Sequence, residues 1–114
     1  RGLMKQALAA VTPTLEDDGF LDKLTDQAMK MNPIAFAGNA RALERFDYTG
    51  RGDEYTGEVL IIAGEKDILI TEQIARETAN EFPNSRVEVV PGVGHSLMVE
   101  DPETFKEIVG NYVR

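Results

Sequence analysis

The sequence predicts an α/β fold in which parallel strands carry flanking helices, preceded by a helical segment. Three observations carry this. Two short apolar runs rich in β-branched residues, 58–63 and 86–90, are separated by a stretch with helical periodicity. A second amphipathic pattern closes the chain. Residues 1–50, by contrast, are rich in helix formers and hold no β-rich run.

In that first segment Phe20, Leu24, Ala28 and Met31 recur at helical spacing, and Asn32-Pro33 is a start signal for a further helix toward Phe46. Residues 51–57 are polar and glycine-rich, which predicts a linker. The run Glu58-Val59-Leu60-Ile61-Ile62-Ala63, ending at Gly64, is nearly continuous in apolar character and predicts a strand buried on both faces. Ile74, Ala75, Thr78, Ala79 and Phe82 then share one helical face behind Thr71 as N-cap. Arg86-Val87-Glu88-Val89-Val90, set between Pro83-Asn84-Ser85 and Pro91-Gly92, is the second strand. Strands joined through a helix lie parallel. After a glycine-rich loop, Asp101 as N-cap and Pro102 at the first position open a helix whose apolar face is Phe105, Ile108, Val109, Tyr112 and Val113. Residues 58–114 therefore form a βαβα unit. Two strands make a poor sheet by themselves, so neighbouring strands are expected from sequence outside these residues or from another copy.

Composition narrows the function classes. The chain has 114 residues, with 42% apolar and 28% charged, the balance of one ordinary globular domain. Its net charge of −8 comes without any Lys/Arg cluster, which argues against nucleic acid and anionic membranes as partners. Cysteine is absent, removing disulfides, thiolate catalysis and Cys-based zinc sites. No apolar run approaches a membrane span and Arg1-Gly2 opens no signal-peptide pattern, so a cytoplasmic protein is expected.

Two residues stand where chemistry is usual, just past the carboxyl ends of the two strands. Asp67, in Gly64-Glu65-Lys66-Asp67, reads by itself more simply as a turn or cap aspartate. His95, the sole histidine, follows Gly92-Val93-Gly94 and reads by itself more simply as an exposed loop residue. As a pair they say more. A βαβ unit brings both to one sheet edge, where a carboxylate would fix the imidazole tautomer for general-base catalysis.

The segments Val59 to Asp67 and Pro91 to Phe105 resemble the last third of an α/β-hydrolase. In that family the triad runs nucleophile, acid, histidine along the chain, and Asp67 and His95 match the last two positions in order. The resemblance implies a C-terminal part of the fold, acting in its complete form on a carboxylic ester, lactone or similar small substrate. It implies a helical cap for residues 1–50, with the linker 51–57 leading into the core at 58–114. It also implies a missing nucleophile, of Ser, Asp or Cys type, because no Gly-x-Ser-x-Gly occurs. Ser85 and Ser96 lack the strand-turn-helix elbow that exposes an activated hydroxyl. The remainder of the hydrolase core, or another copy, is expected to cover the exposed sheet edge. By the same resemblance the isolated segment is expected to be inactive.

Leu97 and Met98, next to His95, are candidate substrate-binding residues; the resemblance would let Met29, Met31, Phe36 and Phe46 line a pocket beneath a cap, while their helical spacing favours core packing for most of them. Glu100 and Asp101 read as helix-start residues. Glu65, Asp67 and Glu100 lack any metal-ligand spacing, and Gly92 and Gly94 lack a dinucleotide fingerprint, so neither metal nor cofactor is expected. Two other functions compete: a non-catalytic ligand-binding module on the same fold, and a flavodoxin-like signalling domain with Asp67 as phosphoacceptor. The second would need about five alternating strands.

Overall fold

The structure is a computed structural model and describes residues 1–16 and 19–114. Along the chain run α1 (Gly2–Val11), α2 (Phe20–Ala28), α3 (Pro33–Glu44), a 3₁₀ turn at Gly52–Glu54, β1 (Val59–Gly64), α4 (Glu72–Asn80), β2 (Ser85–Val90), α5 (Leu97–Glu100) and α6 (Pro102–Tyr112). β1 and β2 pair in parallel, Val59 opposite Ser85 and Gly64 opposite Val90, with α4 as their connection.

The predicted helix starts are built from the predicted caps. The Asn32 side chain accepts from the amides of Ile34 at 2.9 Å and Ala35 at 3.3 Å, Thr71 Oγ1 accepts from Ile74 N at 3.4 Å, and Asp101 Oδ1 accepts from Thr104 N at 3.1 Å. Each answers one or two of the orphan amides that open a helix.

The core gathers where β2 ends. Val90, Val93, Leu97 and Ile108 are buried together, with Leu60, Ile62 and Phe105 packed against them. Each such burial stabilises the fold by about 1.5–3 kcal/mol. Helix α4 packs on both strands and buries Ala75 and Ala79, whose small side chains allow close approach to the sheet. Tyr112 at the end of α6 donates its hydroxyl to Glu58 O at 2.7 Å, fastening the last helix to the start of β1.

The structure departs from the sequence reading in β1, α2 and α3. β1 is fully buried only at Ala63 and Gly64, and Val59 to Ile62 stay partly exposed. The physical reason is the sheet itself, which among the described residues has two strands and so leaves each with an open edge. In α2 the buried side chains are Leu21 and Thr25, whereas Phe20 and Met31 are exposed and the helix stops at Ala28. Thr25 donates its hydroxyl to Leu21 O at 2.7 Å, which lets a polar side chain be fully buried. Helix α3 buries nothing, and Ile34, Phe36 and Leu43 all point to solvent.

Candidate active site

The turn after β1 and the loop after β2 are laced together by backbone bonds. Glu65 N donates to Val90 O at 2.9 Å and Lys66 N to Val93 O at 2.8 Å. The Glu65 carboxylate accepts from Gly92 N at 2.7 Å. Gly92 has φ of +75°, a left-handed conformation in which a side chain would be strained. Gly64 is required for a different reason: a Cβ there would collide with the carbonyl oxygens of Val93 and Gly94. Two loops that are 28 residues apart in sequence are thus held in contact at one sheet edge.

Asp67 and His95 meet across that contact, with His95 Nδ1 at 2.9 Å from Asp67 Oδ2. The other carboxylate oxygen, Oδ1, accepts from Leu69 N at 2.8 Å and Ile70 N at 3.0 Å. Burial pulls the Asp67 carboxyl upward, but the Ile70 amide, the His95 imidazole and the Leu69 amide together outweigh it, and the group titrates below its usual range. An ionised Asp67 can only accept, so the proton of a neutral imidazole sits on Nδ1 and Nε2 carries the lone pair. The carboxylate side chain is 6% exposed and the imidazole 40%, so the acid is sheltered while the ring presents itself to solvent. Among the described residues Nε2 has no hydrogen-bond partner.

The other candidates fall less evenly. Met98 is 54% exposed, but Leu97 is 6% exposed and belongs to the core with Val90, Val93 and Ile108, so its contacts here are packing contacts. Ser96 lies in the His95 loop. Ser85 Oγ donates to Ala79 O at 2.6 Å at the opposite end of β2, remote from the site. Ile68, Leu69 and Ile70, which follow Asp67, are all exposed; their only signal in the sequence is three consecutive large aliphatics in a turn.

Glu100 corrects an expectation. It does not start a helix but ends α5, and its carboxylate turns back to Thr14, Gly94 and Ser96. The short helix α5 itself carries no periodic signal that sequence reading could find. Among the described residues no group of three or more His, Asp or Glu side chains is gathered so as to hold a metal ion, and no helix is long and apolar enough to cross a membrane.

Two parallel strands joined through a helix, with a carboxylate and an imidazole in contact past their carboxyl ends, place the molecule in the α/β class. The model of the alpha/beta hydrolase fold matches residues 13–102, and the chain belongs to that family. Over 72 residues it is 35% identical to a protein of Caulobacter vibrioides named as a candidate carbamate hydrolase, RutD, covering 63% of this chain and 27% of that protein. The chain therefore spans about a quarter of the length of the relatives it matches, 27% and 26% in two of them. Among solved structures, an esterase of Exiguobacterium antarcticum superposes on 98% of this chain and 42% of its own with a TM-score of 0.87 at 20% identity, a likeness of fold. An N-acyl homoserine lactone degrading enzyme is similar over 54% of this chain and 24% of its own, at 27% identity and a TM-score of 0.52.

Proposed function

We propose that this chain supplies the acid and the base of a catalytic triad in a hydrolase of small carbonyl substrates: carboxylic esters, lactones or carbamates. The observation that carries the reading is the 2.9 Å contact between His95 Nδ1 and Asp67 Oδ2, which leaves Nε2 as the acceptor. In this reading Nε2 takes the proton of a nucleophilic hydroxyl as it attacks the carbonyl carbon. His95 then returns that proton to the leaving group, and in the second half-reaction it deprotonates the water that releases the acyl product. Asp67 stabilises the imidazolium formed in each half. The nucleophile and the oxyanion donors come from sequence outside residues 1–114.

The names of the similar proteins, an esterase, a lactone degrading enzyme and a candidate carbamate hydrolase, support this substrate range. The exposed Met98 and the Ile68–Ile70 run supply an apolar rim for the substrate. Residues 1–50 act as cap, 51–57 as linker and 58–114 as core, with the rest of the core, or a second copy, covering the open edges of β1 and β2.

The test compares the isolated segment with the complete protein. The isolated 114 residues are expected to show no fluorophosphonate labelling and no ester turnover above buffer. The complete protein is expected to hydrolyse a small activated ester, and His95→Ala to abolish that turnover. Stoichiometric labelling of the segment, or normal turnover in His95→Ala, would refute the assignment. Substrate binding by the complete protein without any turnover would favour the ligand-binding module.

A further inference from the structure

Both oxygens of the Glu100 carboxylate are engaged by the loop that carries His95 and by the turn after α1. Oε1 accepts from Thr14 N at 3.1 Å, Thr14 Oγ1 at 2.9 Å and Gly94 N at 3.1 Å. Oε2 accepts from Gly94 N and Ser96 N, each at 3.1 Å. The two amides it holds lie on either side of His95. The His95 amide itself donates to Val11 O, the last residue of α1, at 2.9 Å.

Three successive amides, 94, 95 and 96, are therefore pinned, two by one side chain and the third by a helix end. None of the three takes part in the ladder between the strands, which stops at Val90. Nor does the start of α5 hold itself, since Ser96 gives no side-chain cap. Gly94 brings the loop against α1 closely enough that a Cβ would run into Pro13, so the loop and the turn at Thr14 form one contact with Glu100 at its centre. Bonds from amides to a charged carboxylate are roughly twice as strong as neutral ones.

We propose that Glu100 is the positioning residue of His95. It clamps the amides on both sides of the imidazole-bearing residue and ties them to Thr14, so that Nδ1 remains on Asp67 and Nε2 remains directed at the substrate. Glu100 touches no reacting atom. Its action is on geometry, where a misplacement of about 1 Å costs on the order of 10²-fold in rate. The proposal rests on the triad reading and adds to it a second carboxylate, 86 residues in sequence from the Thr14 it binds.

The experiment uses the complete protein with an activated ester and follows the downfield Nδ1 proton of His95, identified by its absence in His95→Ala. Glu100→Ala is expected to lower kcat on the order of 10²-fold, leave KM within about twofold, and broaden or remove the Nδ1 signal. Glu100→Gln keeps one acceptor oxygen but turns an NH2 group toward at least one amide donor, so it should rescue kcat in part. If Glu100 only supports the fold, both variants lower Tm while kcat and the Nδ1 signal stay as in the parent, and the proposal is overturned. If Glu100→Ala does not fold, Glu100→Gln decides: parental kcat with an unchanged Nδ1 signal overturns the proposal. Full turnover in His95→Ala would instead sink the triad reading, whatever Glu100 does.

Discussion

Asp67→Asn isolates the tautomer from everything else at the site. Two backbone amides, Leu69 and Ile70, point at Oδ1 at 2.8 and 3.0 Å, and both demand an acceptor. An asparagine placed here must put its oxygen at that position, because its NH2 group would face two donors. The NH2 then lies where Oδ2 was, 2.9 Å from His95 Nδ1, and donates to it. Nδ1 becomes the acceptor, the imidazole proton moves to Nε2, and the nitrogen proposed as base is blocked. The same substitution in a serine-protease triad lowers kcat by about 10⁴, and a loss of that size corresponds to about 5.4 kcal/mol of barrier at about 1.36 kcal/mol per tenfold. The two turn amides stay satisfied, so the stability lost should be only what the ionised carboxylate contributes through its lowered pKa. Asp67→Ala, in contrast, removes the acceptor from both and should lower stability further than Asp67→Asn does. The assay is kcat on an activated ester in the complete protein, with ¹⁵N spectra of His95 to report the tautomer. A kcat within about tenfold of the parent, or an Asn variant still protonated at Nδ1, would refute the reasoning.

Acidification tests the same carboxylate through stability. The native pKa of Asp67 lies below its ordinary value, so its contribution is fully present above the unfolded value of ~3.9 and is lost as pH falls through the lower native value. The difference in unfolding free energy between the parent and Asp67→Asn should therefore narrow between about pH 5 and pH 2, measured by urea titration; a constant difference would contradict the assignment. Gly64→Ala is expected to destabilise by about 1–3 kcal/mol, because its Cβ meets the Val93 and Gly94 carbonyls rather than a yielding side chain. Gly110→Ala, on α6 with open space around it, should be neutral or stabilise by up to about 1 kcal/mol in the same thermal melts.

What was legible in the sequence was whatever depends on short-range pattern. Apolar runs of strand length, a helical stripe between them and the caps at Asn32, Thr71 and Asp101 were readable because each arises from residues within a turn or two of one another. The Asp67–His95 juxtaposition was legible at one remove. A parallel βαβ unit brings the carboxyl ends of its strands to one edge, so the topology implies that the two residues can meet. In the first segment periodicity misled, placing Phe20 and Met31 on a buried face that Leu21 and Thr25 occupy. A nine-residue helix offers too few turns for an apolar stripe to outweigh what it packs against.

The sequence by itself determined the βαβα order, the parallel pairing and the two residues of the candidate site. Only the tertiary structure decided how that site is held. Glu100 reads locally as a helix-start acid, and nothing within a turn of it suggests Thr14; the bond exists because α1 and the His95 loop come together in space. Leu97 likewise reads as a pocket wall beside His95, and is core because α6 brings Ile108 over it. The reason is the same in both cases. Periodicity records which way a residue faces within its own element, whereas contacts between loops depend on where whole elements are carried, and loops have no period to read.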